Sequence, residues 1–141
     1  MGTGFGRVIA RRELARINSR ARVLVEIGIP RRRAEGEWAC PYRIRGLGLR
    51  GTRHAFGIDP FQALQIVQQA ICLELKPHER ELSWLGQRGS GFYRYFPPYF
   101  GRAFMKRVER AIDREFAYEA RRLKQLVARR RLRAKHRRSS R

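Results

Sequence analysis

An α+β fold follows from three features of the chain. Four successive stretches between Arg7 and Ile58 alternate apolar and polar residues, the period of half-buried strands. Residues 54–75 then contain no Lys or Arg, in a chain of formal charge +21, and their apolar residues recur at helical spacing. The chain closes on a second helical stripe that runs into a basic C-terminus. The expected architecture is a four- or five-stranded, mainly antiparallel sheet with one core helix packed on one face and a long basic C-terminal helix.

Residues 1–6 (MGTGFG) read as a flexible leader, and residues 7–127 as a single domain. Arg7 to Ile17 forms the first strand, and Asn18-Ser19 is a turn signal. Arg20 to Ile29 alternates well. Ala21, Val23, Val25, Ile27 and Ile29 fall on one face, and Arg20, Arg22 and Glu26 on the other. Pro30 to Gly36 is a basic loop. In Glu37 to Arg45, Trp38, Cys40, Tyr42 and Ile44 share one face, and Arg43 and Arg45 the opposite one. Pro41 lacks a ladder donor, so an exposed edge or a bulge is expected there.

Gly46-Leu47-Gly48-Leu49-Arg50-Gly51 has the G-x-G-x-x-G spacing of dinucleotide sites. Thr52 to Ile58 after it reads as a fourth strand rather than the required helix, so the glycines serve a hairpin loop. By strand parity, His54 and Phe56 face inward with Trp38 and Tyr42, and Arg53 faces outward. Four strands with short links predict a meander.

Asp59-Pro60 opens the core helix, with Asp as cap and Pro at the first helical position. Phe61, Leu64, Val67, Ile71 and Leu75 form its apolar face, widened by Ala63, Ile66 and Ala70. Gln62, Gln65 and Gln69 cover the other side, an uncharged surface suited to partner contact. Pro77 ends the helix. Glu81 to Leu85 makes a short fifth strand. Residues 88–100 interleave Arg with Phe and Tyr; they are expected to plug the core between sheet and last helix, with Tyr93, Arg94 and Tyr95 exposed as partner contacts. From Arg102 a long helix carries Phe104, Val108, Ile112, Phe116, Leu123 and Val127 on one stripe. Packed helix is expected to about residue 127, and residues 128–141 as a disordered or frayed basic tail.

Of 33 basic residues 29 are Arg. Codon usage in a GC-rich genome accounts for this more simply than selection for bidentate contacts, because the excess runs through every segment. Residues 120–141 hold eleven Arg or Lys and no Asp or Glu. Such a run repels itself and attracts polyanions. Arg121, Arg122, Lys124, Arg129, Arg130, Arg131, Arg133, Lys135, Arg137 and Arg138 project on several sides of a helix. They suit phosphate contact with little sequence specificity.

Cys40 and Cys72 lie far apart in apolar patterns without zinc-ligand spacing, so no metal and no cofactor is expected. Free thiols, the absence of an apolar leader and the lack of a membrane-length apolar run predict a cytoplasmic protein. No nucleophile, base and orienting group come together in the sequence, so no catalytic residue is assigned. The expected function is non-catalytic binding of nucleic acid through the basic C-terminus. The alternative is a protein–protein module, such as a bacterial immunity or accessory factor that binds an acidic partner protein.

Trp38-x-Cys40-Pro41-Tyr42, Gly46-Leu47-Gly48, Ala55-Phe56-Gly57 and Asp59-x-x-Gln62-Ala63-Leu64-Gln65 together resemble an uncharacterised family of small bacterial proteins, with Trp84-Leu85-Gly86 a further piece. The similarity spans residues 7–100 loosely and 37–72 well. It implies no established activity and no catalytic residues. The extension after residue 120 departs from the family pattern.

Overall fold

The long central hairpin of the sheet joins β1 (Val8–Arg16) to β2 (Arg22–Gly28), antiparallel, with Leu14 opposite Val23 and Arg11 opposite Glu26. These features come from a computed structural model that describes residues 4–94 and 100–139, with side chains as far as Ala134. The hairpin turn places Asn18 at φ +62°, a conformation Asn tolerates better than most residues.

β4 (Trp38–Arg45) pairs with β2 on one edge and with β5 (Arg53–Gly57) on the other. β3 (Arg31–Arg32) continues the β2 edge against Trp38 and Ala39. Pro41 falls where that edge is interrupted between Gly28 and Arg31, so its missing N–H leaves no gap in a ladder. β6 (Leu82–Trp84) joins the far edge of β1, and β7 (Gln87–Arg88) folds back on β6. The predicted meander is thus the body of a seven-stranded antiparallel sheet. β3 and β7 have two residues each, too few for alternation to reveal them.

α1 (Pro60–Leu75) lies on one face of the sheet, against β4 and β5. Asp59 accepts from the Gln62 N–H at 2.7 Å, and the Gln62 side chain accepts from the Ile58 N–H at 2.9 Å, a reciprocal cap. Pro77 ends the α-helix into a 3-10 segment, Lys76–Glu81. Ala63, Val67, Ile71 and Leu75 pack on Leu14, Val23, Val25, Cys40, Tyr42 and Ile44. The Tyr42 hydroxyl donates to Glu74 at 2.6 Å and ties helix to sheet.

Two expectations about facing are overturned. On β5, Ala55 and Gly57 face the core, and His54 and Phe56 lie on the outer face, stacked with ring centroids 6.4 Å apart. Gly57 decides this. A Cβ there would run into the Ala63 backbone, so only glycine admits the start of α1 so close to the strand. The parity then turns Arg53 inward, where it lies 3.3 Å from Glu74 without an aligned hydrogen bond. On α1, Phe61 is 80% exposed rather than in the core, because the small Ala63 occupies the point of closest approach.

The chain divides into two compact units, Met1–Tyr95 and Phe96–Arg141, so the division falls before the last helix, ahead of residue 127. The described buried apolar residues run from Leu14 to Leu82, all within the first unit. Phe5 of the expected leader, and Arg7 just after it, contact the sheet. The Phe5 carbonyl sits over Gly28, and the Arg7 carbonyl accepts from the Ile29 N–H at 3.0 Å.

Candidate polyanion interface

The second unit is dominated by α2, Arg102–Ser139, a 38-residue helix about 57 Å long at 1.5 Å per residue. No Gly or Pro interrupts it, and Arg, Ala, Leu, Lys and Gln, all strong helix formers, make up most of residues 120–134. Cations gathered at its C-terminal half oppose one another but favour the negative end of the helix dipole. The helix extends from Arg102 to Ser139.

Arg121, Arg122, Lys124, Arg129, Arg130, Arg131 and Arg133 are all exposed. At 100° per residue they surround the axis rather than line one face. Arg122 pairs with Glu119 at 3.1 Å, and Arg121 donates to the Ala117 carbonyl at 3.2 Å. The side chains of Lys135, Arg137 and Arg138 lie outside the described residues. The apolar stripe expected to pack is open to solvent over its middle and end: Phe116 is 72% exposed and Leu123 58%.

On the first unit, the outer sheet face is built around Glu26, fully buried at the centre of three strands. Its Oε1 accepts from Arg11 Nε and Nη2 at 3.1 and 2.7 Å. Its Oε2 accepts from Arg43 Nε at 2.5 Å and Arg45 Nη2 at 2.6 Å. Burial by itself pushes this carboxyl up; the hydrogen bonds from Arg43, Arg45 and Arg11 outweigh it and hold the pKa at about 2. One carboxylate thus orients three guanidinium groups, leaving a formal surplus of +2. The Phe5 ring stacks on Arg43 at 4.1 Å, and Arg33 stands 5.4 Å from the Phe56 ring.

On the inner face, beside α1, a cleft of about 460 Å3 opens between Val25, Ile27, Leu64 and Gln68 and the rings of Trp84 and Phe92. Arg12 is clamped there between Trp84 at 3.9 Å and Phe92 at 4.3 Å, and its Nη1 donates to the carbonyls of Ser90 and Gly91. Gly91 has φ +68°, and a Cβ on it would strike the Trp84 ring. Phe92 packs against the core; Tyr93 and Arg94 are exposed, and Tyr95 lies outside the described residues.

Of the glutamine surface, Gln62 is absorbed into the helix cap, Gln65 is exposed and Gln69 half-buried. Glu79 and Glu81 serve the scaffold. Glu79 accepts from the Ser90 N–H at 2.8 Å, and Glu81 pairs with Arg16 at 2.7 Å beside His78. Cys40 and Cys72 are free, and burial pushes the Cys40 thiol up to about 11, which suppresses its reactivity. Among the described residues, no three His, Cys, Asp or Glu side chains gather as a metal site, and no helix is long and apolar enough to cross a membrane.

Sequence reasoning placed Arg43 and Arg45 on the outer face but missed Glu26 as their organiser. The available signal was a lone acid on the polar parity of β2, flanked by Arg on the neighbouring strands. It missed Arg12 because the rings that clamp it come from residues 84 and 92, far along the chain.

No curated protein and no solved structure matches the chain. Residues 10–94 match a family described as a domain of unknown function (DUF6968). That span begins within β1, takes in the rest of the sheet and α1 and stops short of α2. Through its first compact unit the chain belongs to the DUF6968 family, and α2 lies outside the matched span.

Proposed function

We infer that this is a non-catalytic binding protein of the cytoplasm that contacts nucleic acid through α2 without strong sequence specificity. One observation carries the reading: α2 holds fifteen Arg or Lys against four Asp or Glu, and all four acids lie before residue 120. A cationic rod with charge around its axis meets phosphates from several directions and presents no single base-reading edge. Free, unreactive thiols suit a reducing compartment.

Binding to a random duplex, measured across a salt series with the full chain and with a chain ending at Glu119, tests this. The full chain is expected to lose affinity with a log–log slope of roughly −0.9 per neutralised phosphate, and the shortened chain to bind far more weakly. Equal affinities, or no loss between low and moderate salt, would sink the reading.

A second reading, an accessory or immunity-type module for an acidic partner protein, draws on the apolar stripe of α2, where Phe116, Leu123 and Val127 stand exposed among cations. It predicts a stoichiometric protein partner that survives nuclease treatment. Its association rate, more than its dissociation rate, should fall with salt.

A further inference from the structure

We propose that the outer face of the sheet is a separate site for single-stranded nucleic acid, with bases stacking on Phe56 and His54 and phosphates held by Arg11, Arg43 and Arg45. The proposal rests on the nucleic-acid reading of this protein but uses residues of the family domain rather than α2.

The register places these groups on one surface. Phe56 lies opposite Ala39 and His54 opposite Pro41; Ala39, Pro41, Arg43 and Arg45 alternate onto the same side of β4. Arg43 lies opposite Glu26, and Glu26 opposite Arg11. Phe56 and His54 therefore occupy one end of the face and the guanidinium groups around Glu26 the other, where the Phe5 ring also lies against Arg43. Arg43 lies four residue steps along β4 from Ala39, about 13 Å at strand spacing. Phe56 is 41% exposed, and Arg33 brings a further cation to its ring.

The arginine cluster exceeds what a structural role requires. A single guanidinium neutralises one buried carboxylate, and replacing such a network by apolar residues is often neutral or better for stability. Here three are fixed by Glu26, while Arg11 and Arg45 remain 60% and 55% exposed. Their side chains are ordered before a ligand arrives, which lowers the entropic cost of binding. An array of oriented cations beside the exposed Phe56 ring and the half-buried His54 ring matches the two needs of a single strand, backbone neutralisation and a base-stacking surface. Duplex DNA satisfies only the first, because its bases are already stacked.

The test uses the full-length chain with a fluorescein-labelled oligo(dT) or oligo(U) and a random duplex as probes. Phe56→Ala is expected to weaken single-strand binding roughly five- to 150-fold, the range for a lost base–aromatic stack. Its duplex affinity should stay within about two-fold. Arg11→Gln with Arg45→Gln, at two exposed positions, should also weaken single-strand binding and flatten its salt dependence by about 0.7 per lost phosphate contact. Ultraviolet cross-links from oligo(U) should map to the β5 segment.

Single-strand affinity unchanged in both variants would overturn the proposal. So would equal losses on single strand and duplex, or cross-links confined to α2. Failure of the α2 reading shows separately, as duplex binding that does not depend on residues 120–141.

Discussion

Arg45 Nη2 lies 2.6 Å from Glu26 Oε2 across the β2–β4 pairing, and that carboxylate is fully buried while the arginine is half-exposed. The pair is the asymmetric part of a four-residue network in which the acid has no access to water and each base does. Replacing the acid by an amide removes the centre and leaves three cations to repel one another. Glu26→Gln is expected to destabilise the first unit by roughly 2–3 kcal/mol, less than the ~3–5 kcal/mol of an uncompensated buried charge, because the guanidinium groups can turn to solvent. Urea unfolding followed by circular dichroism measures it; an unchanged midpoint would show that the network contributes nothing to stability.

The same carboxylate sets the acid sensitivity. Its pKa is about 2 when folded, against an ordinary value of 4.5. A depressed folded pKa contributes stability that is complete above the unfolded value and is lost as pH falls through the folded one. Melting temperature is therefore expected to drop steeply between about pH 4.5 and pH 2 in the natural chain, and less steeply in Glu26→Gln. Glu81, lowered by His78 and Arg16, adds slope in the same direction and remains in both proteins.

Arg12 links β1 to the loop after β7 through two rings and two carbonyls. Arg12→Ala removes two cation–π contacts and two charged hydrogen bonds, an expected loss of about 2–4 kcal/mol. It also uncovers the Trp84 ring, so tryptophan emission should shift to the red. Arg12→Lys should recover only part of the loss, since an ammonium lacks the flat face that fits between two rings.

Asp59→Ala removes the side-chain acceptor for the first turn of α1. The expected cost is about 1 kcal/mol, within the range for helix caps, and Asp59→Asn should restore most of it. Thermal denaturation of the three proteins at neutral pH separates the cap from a general surface effect.

Local chemistry in the sequence determined the strands other than the two-residue β3 and β7, the turn at Asn18, the Asp59 cap and the helical character of residues 60–75, since each depends on neighbours in the chain. Residues 102–139 likewise carry helix-forming composition without a breaker, in keeping with the helix Arg102–Ser139. Tertiary structure decided which face each strand residue takes. Alternation gives two sets of residues in β5 but not which set turns inward; the Gly57–Ala63 approach chose Ala55 and turned Phe56 out. It also decided what the charges do. Arg11, Arg43 and Arg45 come from two strands 32 residues apart in sequence, and only strand pairing could assemble them around Glu26. Composition set the net charge of this protein, whereas its organisation into an ordered array depends on contacts that no local pattern encodes.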